Sequence, residues 1–166
     1  MTAQSSTESA TSPSSTVTTP GKRDIHVERV FDAPIDRVWA AFSQPELVAQ
    51  WWGRGNQLEV IRWEFERGGH WRLEEHYDGE VAGFEGRYRE ITPKTRITRS
   101  FEWDGMPAHV IIETAELVDL GDGRTRVVID NVFHTTEERD GMLSSGMEGG
   151  MNESFRALDR LLAGTA

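Results

Sequence analysis

Cysteine is absent from the 166 residues, which excludes a disulfide scaffold, a thiol nucleophile and a zinc–thiolate site. Positive charge is scarce: 18 Lys and Arg face 28 Asp and Glu, for a formal charge of −10. Residues 1–23 hold Glu8 against Lys22 and Arg23, a balance of +1, so the rest of the chain carries −11. Such acidity repels phosphate backbones, and no nucleic-acid partner is expected. Long apolar runs are missing as well. Nothing approaches the roughly 20 residues needed to span a bilayer, so no membrane insertion is expected. The motifs Gly-x-Ser-x-Gly, His-Glu-x-x-His and the P-loop are all lacking, which leaves no catalytic signature and no expected cofactor.

Large apolar side chains are nearly lacking from residues 1–22, a Ser/Thr-rich stretch with Pro13 and Pro20. Such a segment cannot bury enough surface to offset its ordering entropy. Residues 1–23 are therefore expected to be a disordered tail and residues 24–166 one domain. The tail has neither the apolar core of a secretory signal nor the Arg-rich pattern of a transit peptide, so a cytoplasmic location is expected.

What is present is period. Residues 135–163 read as one long amphipathic C-terminal helix. Thr135 with Glu138 fits a capping box, and Met147, Met151, Phe155, Leu158 and Leu162 draw one apolar stripe. Gly146, Gly149 and Gly150 interrupt it. Each glycine costs about 0.8–1 kcal/mol relative to Ala, so either the helix bends there or a close neighbour or ligand needs the room. Upstream, DIHVERVF (24–31) is a first strand, with Ile25, Val27, Val30 and Phe31 as its apolar residues. Two short helices follow: IDRVWAAFS, opened by Pro34 with Asp32 as cap, and PELVAQWWG, opened by Pro45 and stopped by Gly53. Six further strands are expected at 57–65, 69–77, 81–91, 96–103, 108–118 and 124–133, broken by turns such as Asp78-Gly79 and Asp104-Gly105. Connections this short force antiparallel neighbours. The expectation is an α+β domain: a curved seven-stranded antiparallel sheet wrapped around the C-terminal helix, with a cavity between them closed at one end by the short helices.

VFDAPIDRVWAAFSQPELVAQWWG (30–53), Gly68-Gly69-His70-Trp71-Arg72, Glu85-Gly86-Arg87-Tyr88 and Phe101-Glu102-Trp103 together resemble the SRPBCC (START-like, Bet v 1-like) superfamily. The branch they resemble is that of the activator of heat-shock protein 90 ATPase. The resemblance covers residues 24–163. It implies a helix-grip fold and, often, a hydrophobic small molecule held between sheet and helix, without implying one reaction. One departure stands out: the family's final helix usually carries Gly-Trp where this chain has Gly146-Met147, which would enlarge and soften the cavity wall.

Candidate cavity residues are Trp52, Trp71, Phe84, Tyr88, Trp103, Asn131, Met147, Gly150 and Met151. Trp51 and Trp52 point about 100° apart on a helix, so one of them is a candidate for the cavity mouth. For Trp63, Trp71 and Trp103, cross-strand packing competes with a cavity role. Tyr88 is either a ligand partner or a core tyrosine with a satisfied hydroxyl. Asn131 sits on the inward face of the last strand with Thr125, Val127, Ile129 and Phe133, so it must pair internally or meet a ligand. Met142, Met147 and Met151 are either core or a plastic ligand wall. His70, Arg72, Glu74 and His76 share one strand face, opposite Trp71, Leu73 and Glu75. Alternate side chains about 7 Å apart fit a solvated face better than a metal site, and no metal is expected. Glu90 and His109 are the acids or bases a cyclase- or hydrolase-like enzyme would use, though no motif supports catalysis. The expected function is therefore binding of a small apolar or amphipathic molecule. A co-chaperone-like interaction module is the alternative that the resemblance raises, but the known co-chaperones add a separate chaperone-binding domain for which this chain has no room.

Overall fold

The computed structural model describes residues 15–164. Its strands are β1 (Thr16–Thr18), β2 (Asp24–Phe31), β3 (Gln57–Trp63), β4 (His70–Tyr77), β5 (Glu80–Thr92), β6 (Arg96–Trp103), β7 (Ile111–Asp119) and β8 (Thr125–Val132). Its helices are α1 (Ile35–Ser43), α2 (Pro45–Trp51), α3 (Thr136–Ser144) and α4 (Met147–Leu162). The strands form one antiparallel sheet in the order β1-β2-β8-β7-β6-β5-β4-β3. Every strand from β3 to β8 pairs with its sequence neighbour, as the short turns require. The chain then returns so that β8 lies beside β2. This is the helix-grip architecture.

The eighth strand is β1, which pairs with β2 from Thr16↔Glu28 to Thr18↔His26. Part of the segment expected as a disordered tail thus extends the sheet edge; residues 1–14 lie outside the described ones. On β2 the inward face is Ile25, Val27, Arg29 and Phe31, which places Val30 on the other side. Arg29 is buried because its guanidinium reaches across to α4 and donates to both carboxylate oxygens of Asp159, at 2.7 and 2.5 Å. It also lies 4.4 Å from the Phe31 ring centroid.

Pro34, not Asp32, occupies the cap position of α1, and it offers no side-chain cap. Pro45 opens α2 as expected, after Gln44. The long C-terminal helix is in fact two. Ser145 ends α3, and Gly146, at φ 84°, turns the chain through the left-handed region before α4 begins. The capping box is half formed: Thr135 Oγ1 accepts from the Glu138 N–H at 3.1 Å, while the Glu138 carboxylate turns away to His109.

α4 lies against the sheet through Phe155, Leu158 and Leu162, each buried and each contributing about 1.5–3 kcal/mol. They join Ile25, Val27 and Val127 in one core cluster. A second cluster gathers Val48, Leu58, Trp71, Leu73, Tyr88 and Ile97 at the other half of the sheet. Between the two clusters the sheet and helices enclose open space.

Candidate functional site

That space is a cavity of about 900 Å³ between the inner face of the sheet, α2, α3 and the first half of α4. Its walls are chiefly apolar. Exposed lining side chains, among them Tyr77, Trp103, Met106, His109 and Glu137, mark where it opens to solvent, between the β4–β5 turn, the β6–β7 loop and α3.

Of the residues expected to line a cavity, Trp52, Phe84, Tyr88, Trp103, Asn131, Met147, Gly150 and Met151 do so. Trp52 meets Phe84 edge-on, ring centroids 5.0 Å apart, and Trp103 stands at the mouth, 43% exposed. Trp71 is the exception. It is fully buried and does not line the cavity, because Arg99, which does, lies over its ring with 4.1 Å from guanidinium carbon to centroid. Trp51 joins Trp52 in the lining, its indole N–H held by the Ala41 carbonyl at 2.9 Å. Glu90 leaves the site altogether. β5 carries a bulge between Tyr88, opposite Arg99, and Glu90, opposite Thr98, so one extra residue reverses the side-chain alternation. Glu90 faces outward and accepts from the Thr92 hydroxyl.

Three polar groups stand in the cavity lining, and of these Glu75 and Arg99 escaped the sequence reading. The first is built on Glu75, an inward residue of β4 that is only 1% exposed. Its carboxylate accepts from Arg54 Nε and Nη2, both at 3.1 Å, and from Asn56 Nδ2 at 2.6 Å. The Arg54 N–H in turn donates to Ser154 Oγ of α4 at 2.9 Å. The guanidinium reaches Glu75 by crossing Gly150, where a Cβ would stand 2.5 Å from Arg54 Cδ. The glycine gap therefore accommodates a close neighbour from this chain. The signal was visible: Glu75 alternates with the apolar Trp71 and Leu73, and a carboxylate on a buried face requires a partner.

The second group is Arg99 on β6, whose Nε donates to Glu113 Oε1 of β7 at 2.9 Å. Burial pulls the Arg99 pKa down, but Glu113 and Tyr88 outweigh that effect and the net shift is upward, so the guanidinium stays charged. Tyr88 beside it is 1% exposed, and burial pushes its phenol up to about 12, against the opposing pull of Arg99. Arg99 can only donate to the Tyr88 oxygen, so the Tyr88 O–H has no acceptor among the described residues. Leaving a buried hydroxyl unsatisfied costs about 1–3 kcal/mol. The third group is at the mouth, where the His109 ring nitrogen meets the Glu138 carboxylate in a short contact, tying the β6–β7 loop to α3.

On the outer face, the His70–His76 strand side is laced with ion pairs. Arg72 joins Glu74 at 3.1 Å and Asp104 at 2.7 Å, and its hydrogen bond to Asp104 is the main reason its pKa is raised. Glu59, Glu74 and His76 bring one donor atom each to within 4.8 Å of one another, but Glu74 is already engaged by Arg72. That geometry fits a solvated, salt-bridged strand face.

An antiparallel sheet folded over a C-terminal helix, with a large apolar cavity between them, defines a helix-grip protein. The family described as Activator of Hsp90 ATPase homolog 1-like protein matches residues 32–163, and the chain belongs to that family. No curated protein matches it. Among solved structures, a protein from Rhodobacter sphaeroides is 26% identical with a TM-score of 0.83, covering 92% of this chain and 99% of its own. A solution structure from Arthrobacter aurescens is also 26% identical, with a TM-score of 0.82 over 91% of this chain and 92% of its own. A Chromobacterium violaceum protein is 27% identical, with a TM-score of 0.74 over 86% of this chain and 98% of its own. Family and fold support a ligand-binding or co-chaperone-like module. Among the described residues no helix is long and apolar enough to cross a membrane.

Proposed function

We propose that the protein binds a small hydrophobic or amphipathic molecule in the cavity between the sheet and α3–α4. The observation that carries this reading is the cavity itself, about 900 Å³, chiefly apolar and open at one end. Small-molecule pockets run roughly 300–1,000 Å³ and combine apolar walls with a few placed polar groups. A solid core of this fold would instead have filled the space with side chains, since interiors pack to near-crystalline density. Flexible Met147 and Met151 on one wall and aromatic Trp52, Phe84 and Phe101 on the other suit a ligand of variable shape.

The test is native mass spectrometry of the purified protein, followed by denaturing extraction. A co-purifying apolar molecule, or saturable binding of a fluorescent lipid with displacement by added ligand, supports the reading. A protein that is empty as purified and binds no apolar probe refutes it and shifts weight to a protein partner.

A further inference from the structure

Four polar side chains stand in one row across the inner face of the sheet. Tyr88 on β5 is opposite Arg99 on β6, Arg99 is opposite Glu113 on β7, and Glu113 is opposite Asn131 on β8. With strands about 4.8 Å apart, the row runs roughly 14 Å across the cavity wall. All four line the cavity. Two residues along the strands on one side lies an apolar row of Ile97, Ala115 and Ile129, and on the other side lie Phe101 and Ile111. A polar band is thus set between two apolar bands.

The middle of the band is self-satisfied and its ends are not. Arg99 and Glu113 neutralise each other through the 2.9 Å hydrogen bond. At one end the buried Tyr88 hydroxyl can only accept a hydrogen bond, from Arg99 beside it, so its own O–H finds no acceptor among the described residues. At the other, the Asn131 amide, placed two residues from Ile129 on the same face, makes no hydrogen bond with another described residue. A ligand that crosses the band meets a phenol O–H that can donate and an amide that can donate or accept, neither of them taken by another described residue. It also meets no net positive charge. Two arginines in the cavity lining, Arg54 and Arg99, stand against Glu75, Glu113, Glu137 and Glu138.

We infer that the cavity selects an uncharged amphipathic molecule, an apolar body carrying a hydroxyl or carbonyl group that hydrogen-bonds to Tyr88 or Asn131. A carboxylate would enter past Glu137 and Glu138 and find both arginines already paired. An ammonium group would have to give up its hydration beside Arg99. An uncharged hydroxyl loses little water and gains a partner that the protein leaves free. The inference rests on the proposed ligand role of the cavity.

The experiment uses four fluorescent probes with one ring system: pyrene, pyrenemethanol, pyrenecarboxylate and pyrenemethylammonium. Each is titrated into the full-length protein. Pyrenemethanol is expected to bind tighter than pyrene and than either charged probe. Tyr88→Phe and Asn131→Leu are each checked for an unchanged far-ultraviolet circular dichroism spectrum. At least one of them should reduce pyrenemethanol affinity about three- to tenfold while leaving pyrene affinity unchanged. Tightest binding by the carboxylate or the ammonium overturns the inference and leaves the cavity reading standing. So does an alcohol advantage that survives both substitutions. Failure of all four probes to bind removes the cavity reading and this inference with it.

Discussion

The side chain of Arg54 lies across the bare backbone of Gly150 and from there reaches the buried carboxylate of Glu75. Two residues 96 positions apart thus depend on one missing methyl group. An alanine at 150 would push the Arg54 stem aside and leave Glu75 with Asn56 as its remaining partner. Breaking a buried pair costs roughly 3–5 kcal/mol, and the better helix propensity of alanine returns about 1. Because Arg54 is half-exposed, the low end of that range applies, so Gly150→Ala is expected to destabilise by about 2 kcal/mol in urea unfolding. In an Arg54→Ala background the sign should reverse, with Gly150→Ala stabilising by about 0.8–1 kcal/mol. The same loss in both backgrounds would show that the gap has another cause.

Tyr88 should report its burial directly. Its phenol is held at about 12, so alkaline difference absorbance is expected to show a tyrosine ionising near that value, and Tyr88→Phe should remove that step. The linkage follows in sign. The unfolded chain loses this proton near pH 10 while the folded protein keeps it, so stability falls as pH rises from about 10 towards 12. A Tyr88 that ionises near 10 would mean that water reaches its hydroxyl.

The strand map and the inward faces of β4 and β8 were legible because each has one wet and one buried side, which writes a period of two. Glu90 was misplaced for the same reason: alternation carried through β5 has no means of registering the extra residue at its bulge. The break at Ser145–Gly146 was half legible. The glycine cluster flagged it, but the apolar stripe runs only from Met147 onward, and no residue of α3 is fully buried. The ion pairs Arg54–Glu75 and Arg99–Glu113 lie beyond local pattern. Glu75 announced the need for a partner, and only the fold supplies its identity.

His26 gives a second pH dependence, of the histidine kind. Its hydrogen bond to Asp130, at 2.6 Å, is the main reason its pKa is raised, with Glu28 helping and partial burial opposing. A raised folded-state value contributes stability that is fully present below the ordinary histidine value near 6.5 and is lost as pH rises through the folded value. The urea midpoint should therefore fall across that window, and Asp130→Asn should flatten the fall. The His26 ring resonances, followed by NMR, should titrate above 6.5 in the parent and shift down in Asp130→Asn. A flat stability profile in the parent would remove the assignment.

The mouth of the cavity should be its softest part. α3 fully buries none of its residues and is held by the Thr135 cap, by Met142 against the core, by Arg139 donating to the Gly21 and Asp24 carbonyls and by the His109–Glu138 contact. α4 is anchored by Phe155, Leu158 and Leu162. Local opening free energy follows such buried contacts, so α3 amides are expected to exchange with solvent much faster than those of residues 155–162. Glu138→Gln should speed α3 further and leave α4 unchanged, because it weakens the hydrogen bond that ties α3 to the β6–β7 loop. A ligand seated under α3 should slow exchange there, and the size of that protection measures how far the helix closes the entrance. Protection of α3 equal to that of α4 in the unliganded protein would instead make the mouth a fixed opening, through which entry is limited by its width alone.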